Sequence, residues 1–228
     1  MTDLSGTVFV VVGATGALGS RIATLLADAG ATLTISGRSA DKLDALGIDG
    51  AHTVTADLRE PAAAAQVIDA AKEKHGRIDG VVNAAGVAAF GPVAEIDDDT
   101  VDDLVLIDFL GPLRLLRAAL SAVEEGGVVV GISAVLAEQP VAGMATYSAV
   151  KAAASTLYIA AAKEARRSKI RVVDVRPPHT ETGLVDRAIA GDPPKMPEGI
   201  SPDAVAKRVL SAITGGEREV PSSEFDAE

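Results

Sequence analysis

Short runs of apolar residues alternate along the chain with longer stretches in which apolar residues recur at helical spacing. The first run, Thr7–Val12 (TVFVVV), is nearly all apolar and stops at a glycine, which is typical of a strand buried on both faces of a parallel sheet. Similar runs predict strands at Ala31–Ser36, Ala51–Thr55, Ile78–Val82, Gly127–Ile132 and Ile170–Val175, and helical spacing predicts helices at Gly16–Ala29, Pro61–His75, Thr100–Val123 and Met144–Ser168. This alternation predicts an α/β fold with a doubly wound parallel sheet of six to seven strands and helices on both faces.

A tract rich in proline and glycine, from Pro177 to Pro202, follows the sixth predicted strand. A long loop within a compact domain usually has a function, so residues 183–201 are predicted to form a lid over a substrate. Residues 217–228 are polar and acidic, and they predict a short frayed tail with an edge strand near Val220. No repeat or linker divides the sequence, so residues 1–228 are predicted to form a single domain.

The composition excludes several classes of function. Apolar residues make up 48% of the 228 residues, and the net charge of −11 disfavours nucleic acid and anionic membrane surfaces as partners. The chain has no cysteine and its three histidines are scattered, so neither disulfides nor a metal site are expected. It also lacks a basic N-terminal segment and any apolar run of about 18 residues, which predicts a cytoplasmic protein.

Three glycines, Gly13, Gly16 and Gly19, lie between the first predicted strand and the first predicted helix, in the segment GATGALG. Glycines at this spacing allow a tight turn and a close approach of the backbone to a pyrophosphate, whose charge a helix N-terminus favours. A purely structural turn is the alternative interpretation. The position at the first strand–helix junction favours dinucleotide binding in a Rossmann fold.

The end of the second predicted strand bears on the choice of dinucleotide. An acidic residue there would bind the ribose 2′-hydroxyl of NAD, but the sequence has Ser36, Gly37 and Arg38. The guanidinium of Arg38 can form a charge-assisted pair with the 2′-phosphate of NADP, or it can be a solvated side chain on a turn. We predict that NADP(H) is preferred over NAD(H).

Tyr147 and Lys151 lie four residues apart on a predicted helix, and therefore on one face, with Cβ atoms about 5–6 Å apart. An ammonium beside a phenol favours the phenolate and lowers the pKa of the tyrosine from about 10. Such a tyrosine can donate or accept a proton near neutral pH. Pairs like this also occur by chance on helix surfaces, so the spacing alone leaves both interpretations open.

Taken in order, these motifs resemble the short-chain dehydrogenase/reductase family, in its compact single-domain branch. The resemblance implies an NADP(H)-dependent oxidoreductase that reduces a carbonyl or oxidises an alcohol by hydride transfer. It further implies that Tyr147 is the acid/base and that Lys151 lowers its pKa and binds the nicotinamide ribose. The resemblance runs from about Thr7 to Leu184 and rests on GATGALG, on Asp57 in ADL, on Asn83–Gly86 (NAAG), on Tyr147 and Lys151, and on Arg176–Leu184 (RPPHTETGL).

The resemblance also implies a set of cofactor-binding residues. The glycine turn would hold the pyrophosphate, Asp57 and Leu58 would lie near the adenine, and the NAAG segment would line the adenosine ribose. Thr182 and the backbone near it would hold the nicotinamide carboxamide. The implied set is Gly13, Thr15, Gly16, Ala17, Leu18, Gly19, Arg38, Asp57, Leu58, Asn83, Ala84, Ala85, Gly86, Tyr147, Lys151, Pro177, Thr180 and Thr182.

Three positions depart from the family pattern. A serine is usual thirteen residues before the tyrosine, where this chain has Ala134. Ser133 is one residue earlier and is expected to point the other way unless the strand end is bulged. An asparagine is usual where this chain has Asp108, and Pro-Gly is usual where it has Pro177-Pro178. The predicted catalytic residues are Tyr147, Lys151, Ser133 and Asp108.

Two classes of function remain open at this point. Tyr147 and Lys151 favour an enzyme acting on a small-molecule carbonyl or alcohol, whereas Ala134 and Asp108 favour a dinucleotide-binding sensor or regulatory protein with weak or no turnover.

His179 is either a substitute acid or polar substrate contact, or an ordinary loop residue. The family resemblance implies a homodimer or homotetramer that pairs through the two long helices. The expected pocket wall is Val87, Ala88, Phe90, Val135, Leu136, Met144, Leu184 and Ile189.

Overall fold

The fold, described by a computed structural model for residues 3–225, is a seven-stranded parallel sheet with helices on both faces. The strands are β1 (Val8–Val12), β2 (Thr32–Gly37), β3 (His52–Thr55), β4 (Gly80–Asn83), β5 (Val128–Ile132), β6 (Arg171–Val175) and β7 (Glu219–Val220). The α-helices are α1 (Ala17–Asp28), α2 (Ala40–Asp44), α3 (Ala63–His75), α4 (Asp98–Val105), α5 (Gly111–Ala122), α6 (Ala145–Glu164) and α7 (Pro202–Gly215). The predicted doubly wound architecture is confirmed.

The strand order is β3-β2-β1-β4-β5-β6-β7, and every neighbouring pair is parallel. The order changes direction at β1 and β4, which pair through Val10 and Val81. At such a point the loops after two neighbouring strands diverge and leave a crevice at the carboxyl ends of the strands. The glycine turn after β1 therefore opens into this crevice.

Both faces of the sheet are buried, as the continuous apolar run of β1 predicts. Alternate residues of β1 serve different faces, since Phe9 and Val11 pack with α1 and α7 while Val10 and Val12 pack with α3, α5 and α6. A third, smaller apolar cluster lies outside the sheet and includes Phe90, Leu104 and Met144.

The predicted helix Thr100–Val123 differs from the observed one. It begins earlier, at Asp98, because the side chain of Asp97 accepts a hydrogen bond from the backbone of Thr100 and caps the helix. A π-helical segment, Leu106–Leu110, then separates α4 from α5. Such π segments often occur at functional sites, and Asp108 lies within this one.

The C-terminal part is more regular than the sequence analysis predicts. Helix α7 lies beyond the proline-rich tract, where Ser201 caps it and Pro202 takes a tolerated first-turn position, and neither α7 nor α2 was predicted. The edge strand predicted near Val220 is confirmed as β7, which pairs with the end of β6. A short 3-10 turn, Ser222–Glu224, follows it, so this segment is not frayed as far as residue 225. The final three residues of the predicted tail lie outside the described residues.

No helix within residues 3–225 is both long and apolar enough to cross a membrane.

Candidate active site

A cavity of about 680 Å³ runs along the carboxyl ends of the strands, from the glycine turn to the proline-rich segment that is predicted to form a lid. All of the predicted cofactor-binding residues line it except Gly19 and Asn83. Of the predicted pocket wall only Ile189 is absent from the lining; this residue is 38% exposed, and its backbone N–H donates to the carbonyl of Ala88. Within residues 3–225, no three His, Asp or Glu side chains converge as a metal site would require.

The glycine turn brings the backbone closer to its neighbours than any side chain would allow. Gly13 has φ +80°, and a Cβ built there would lie 2.5 Å from the backbone nitrogen of Ala85. A Cβ at Gly19 would lie 2.2 Å from the carbonyl oxygen of Gly13. Gly16 precedes α1 and has no side chain to cap it, which leaves the first N–H groups of the helix facing the cavity. This backbone cradle fits the pyrophosphate of a dinucleotide.

Asn83 and Gly19 do not line the cavity, but they contact the turns that form its wall. The side-chain amide of Asn83 donates to the hydroxyl of Tyr158 at 3.3 Å and accepts a hydrogen bond from the backbone of Ala85 at 3.3 Å. Tyr158 in turn lies against Gly131, where a Cβ would be 2.0 Å from the tyrosine ring. Asn83 thus fixes the turn after β4 on the packed centre of the sheet.

Two cations lie at the end of the cavity that β2 and α2 form. Arg38 follows β2, and Lys42 lies on α2, whose N-cap residue Ser39 accepts a hydrogen bond from the backbone of Lys42. Both side chains are exposed and neither makes an ion pair within the part of the chain that the structure describes. Lys42 was not among the predicted binding residues, although a serine followed by helix-forming residues could have indicated the helix cap. Asp57 lies nearby, and hydrogen bonds from Arg59 lower the pKa of its carboxyl.

Tyr147 and Lys151 lie on the wall of the cavity and form a buried group with Asp108. Tyr147 and Lys151 share one face of α6, with the Lys151 Nζ 5.7 Å from the centre of the Tyr147 ring. The same Nζ lies 3.0 Å from Oδ1 of Asp108, and the backbone N–H of Val87 donates to Oδ2 at 3.3 Å. Asp108 is only 1% exposed and lies behind the two α6 residues rather than on the cavity lining.

The pKa of Tyr147 does not shift in the direction that the spacing alone predicts. Burial raises the pKa of its hydroxyl, Lys151 lowers it, and Asp108 raises it again, so that the net direction is upward. Burial lowers the pKa of Lys151, but the Asp108 carboxylate outweighs this effect and raises it. Burial also raises the pKa of Asp108, against the opposing charge of Lys151. The expectation of a lowered tyrosine pKa missed both the burial and the carboxylate.

The hydroxyl of Ser133 is engaged away from the reaction chemistry. It donates to Oδ1 of the buried Asp174 at 2.6 Å, and Asp174 also accepts from Ser155 and Arg176. Ala134 has an extended backbone, with φ −170° and ψ 162°, so the alternation of the strand continues and the two neighbouring side chains point in opposite directions. In this structure the Ser133 proton is donated to Asp174 and not into the cavity, which argues against the predicted catalytic role of Ser133.

Residues 183–201, the predicted lid, are joined to the rest of the domain near their middle and near their C-terminal end. Isolated bridges join Ala89 to Ala190 and Thr180 to Ile200. Thr180 donates its hydroxyl to the carbonyl of Pro178 at 2.8 Å, and Thr182 accepts from the backbone of Leu184 at 3.2 Å. Residues of the lid that line the cavity but were not predicted are Val185, Arg187, Pro194, Lys195, Met196 and Pro197.

His179 lines the cavity at the base of the lid, and its Nε2 lies 3.4 Å from Oε1 of Glu181. Its backbone carbonyl accepts a hydrogen bond from Ile200. The ring also packs against Gly199, where a Cβ would be 2.8 Å from it.

Comparison with known proteins identifies the family. The family model for short chain dehydrogenase matches residues 7–192. The chain belongs to this short-chain dehydrogenase family. An uncharacterized oxidoreductase of Staphylococcus aureus strain USA300 is 30% identical over 221 residues, which cover 94% of each chain. The homologous protein of strain MRSA252 is 29% identical over the same length.

Solved structures of short-chain dehydrogenases have the same fold. A short chain dehydrogenase from Burkholderia cenocepacia J2315, in complex with NADP, is 25% identical and superposes with a TM-score of 0.87 over 98% of each chain. A dehydrogenase/reductase from Sinorhizobium meliloti 1021 is 26% identical, with a TM-score of 0.86 over 96% of this chain and 94% of that chain. The family resemblance in the sequence is thus confirmed, and this short-chain dehydrogenase is an NAD(P)-dependent oxidoreductase.

Proposed function

We propose that this chain is an NADP(H)-dependent oxidoreductase that reduces a small ketone or aldehyde, or oxidises the corresponding alcohol. The observation that carries this proposal is the pair of Tyr147 and Lys151, both 6% exposed, on the wall of the cavity. A bound nicotinamide dinucleotide supplies or accepts the hydride in this reaction. The cradle of Gly13 and Gly16 holds its pyrophosphate, and Arg38 with Lys42 binds the 2′-phosphate.

Tyr147 is the residue that donates or accepts the transferred proton. In the direction of reduction its hydroxyl donates a proton to the carbonyl oxygen, and in the direction of oxidation the phenolate takes the proton of the alcohol. Lys151 binds the nicotinamide ribose hydroxyls with its ammonium group. The apolar wall, including Val87, Leu136 and Met144, suits a substrate with an apolar body.

The decisive experiment measures NADPH consumption over a panel of ketones, aldehydes and quinones, with the wild-type protein beside Tyr147→Phe. The wild type is expected to turn over at least one class of substrate. The phenylalanine variant, which lacks the transferable proton, is expected to bind NADPH but to lose turnover. A Tyr147→Phe variant with the wild-type rate would show that the tyrosine is not the acid.

A second candidate function is that of a dinucleotide-binding sensor or regulatory protein with weak turnover. The observation that favours it is the hydrogen bond from Ser133 to Asp174, which leaves Ala134 at the family's serine position without a donor. Ala134→Ser distinguishes the two. A silent wild type and an active Ala134→Ser variant would favour the sensor, since loss of one such donor costs roughly 10²–10³ in rate. Ala137→Ser, outside the cavity, is the matched control.

We further propose a homodimer or homotetramer that pairs through α5 and α6. Ile159 on α6 is 41% exposed, and the small side chains of Ala152, Ala153 and Ala160 on the same helix permit close approach of a second helix. Light scattering tests this proposal, and a monomeric mass would reject it.

A further inference from the structure

Asp108 and Lys151 form a buried ion pair that faces the phenol of Tyr147. The two charged side chains are 0% and 8% exposed, and their atoms Oδ1 and Nζ are 3.0 Å apart. Gly86 closes the pair from the other side, because a Cβ there would lie 2.7 Å from Oδ1 and 3.2 Å from Nζ. Because the two opposite charges lie this close together and out of water, Asp108 opposes the effect of Lys151 on the neighbouring phenol.

Few other charges act on this group. On α6, Lys151 is flanked by Tyr147 and Tyr158, and the hydroxyl of Tyr158 is bonded to Asn83. The π segment contributes Asp108, and the turn after β4 contributes only the backbone N–H of Val87.

From the lid side, three ionisable residues line the same cavity. Their side chains have other contacts or reach solvent. His179 lies beside Glu181, Arg187 donates to the carbonyls of Thr182 and Gly183, and Lys195 is exposed.

We propose that Asp108 is a positioning residue that cancels the charge of Lys151, keeps Tyr147 as a phenol and so sets this site to donate protons. The consequence for the reaction rests on the proposed function. In reduction, the phenol proton moves to the carbonyl oxygen while the hydride from the reduced dinucleotide joins the carbonyl carbon, which gives the alcohol and the oxidised dinucleotide. Oxidation of an alcohol needs the phenolate as the proton acceptor, and the raised pKa of Tyr147 disfavours the phenolate.

The direction of the tyrosine pKa agrees with this geometry. Burial and the Asp108 carboxylate both raise the pKa of Tyr147, and together they outweigh Lys151. An asparagine in place of Asp108 would keep one acceptor oxygen, for either Lys151 or the N–H of Val87, and would carry no charge. Lys151 would then act on the phenol without compensation.

The test is a spectroscopic titration that needs neither cofactor nor substrate. The chain has two tyrosines and no tryptophan, so the near-ultraviolet absorbance of phenolate can be assigned to each tyrosine. Tyr147→Phe identifies the signal of Tyr147. In Asp108→Asn the pKa of Tyr147 is expected to fall by roughly 1–3 units, the range for an opposite charge at close distance. Asp102→Asn, which removes an exposed carboxylate from α4, is the matched control and should change nothing. An unchanged or raised Tyr147 pKa in Asp108→Asn overturns the proposal.

A double variant covers the case in which Asp108→Asn fails to fold. Asp108→Asn with Lys151→Met removes both charges and leaves no unpaired ion in the interior. If the two charges cancel in the wild type, the pKa of Tyr147 in the double variant stays within about half a unit of its wild-type value. A rise of about one unit or more would mean that Lys151 dominates, which contradicts the proposal. Because the titration is independent of turnover, an inactive wild type would count against the proposed function alone.

Discussion

The hydroxyl of Ser133 donates a 2.6 Å hydrogen bond to the buried carboxylate of Asp174, at the end of β5 beside the cavity. The carboxylate of Asp174 also accepts hydrogen bonds from Ser155 and Arg176. The serine nearest to the reaction centre in the sequence is thus part of a structural network.

Ser133→Ala should therefore lower stability more than catalysis. The variant removes one of the hydrogen bonds to a buried carboxylate, which should lower the free energy of unfolding by about 1–3 kcal/mol. Urea unfolding measures this loss, and kcat for the best substrate of the panel should stay close to the wild-type value. A hundredfold loss of kcat in a protein of unchanged stability would return Ser133 to the catalytic group.

The second prediction concerns the proposed preference for NADPH over NADH. Arg38→Ala and Lys42→Ala each remove a cation from the end of the cavity that β2 and α2 form, and a charge-assisted hydrogen bond of this kind contributes about 1.5–3 kcal/mol. We expect Arg38→Ala to raise the KM for NADPH by roughly 10- to 100-fold. The KM for NADH is the internal control, because NADH lacks the 2′-phosphate. Equal losses for both dinucleotides would show that these cations bind something other than that phosphate.

Much of the fold could be predicted because its signals are local. The run Val8–Val12 is buried on both faces, and glycines in the following turn are required where the backbone packs on Ala85. The π segment and the Asp108–Lys151 contact depend on how distant helices pack, which no periodicity reveals. The raised pKa of Tyr147 could not be predicted from the sequence either, because it depends on the burial of the hydroxyl in the folded chain.

The charged network around Arg176 is the clearest example of contacts that the sequence does not predict. Arg176 directly follows β6, and its partners are Asp174 on β6, Glu138 in the loop after β5 and Glu219 on β7, the last two about forty residues away in opposite directions. Each of these residues could be an ordinary surface charge in the sequence. Only the parallel pairing of β5, β6 and β7 brings them together.

The third prediction concerns the space beside the ion pair. Gly86→Ala would place a methyl group 2.7 Å from Oδ1 of Asp108, so the carboxylate or the helix that carries it must move. Overpacking of this kind costs about 1–3 kcal/mol, and we expect lower stability together with lower turnover. Gly215→Ala at the end of α7 is the control, because its Cβ would meet Glu217 at an ordinary 3.5 Å. Wild-type turnover in Gly86→Ala would show that the site tolerates displacement of the pair.

The fourth prediction is that Arg176→Met destabilises the fold through the charges it leaves behind. Arg176 is 7% exposed and binds Asp174 at 2.7 Å and Glu219 at 3.1 Å, in addition to Glu138. Because Asp174 is 1% exposed, loss of its cationic partner leaves an uncompensated carboxylate in the interior, which costs about 3–5 kcal/mol. Arg77→Met breaks a 2.6 Å pair with Asp79 whose arginine is 55% exposed, and water replaces that contact, so this control should change the unfolding midpoint little. Equal effects of the two variants in urea unfolding would mean that Asp174 gains another partner or a proton, and the network would then contribute no more than a surface pair.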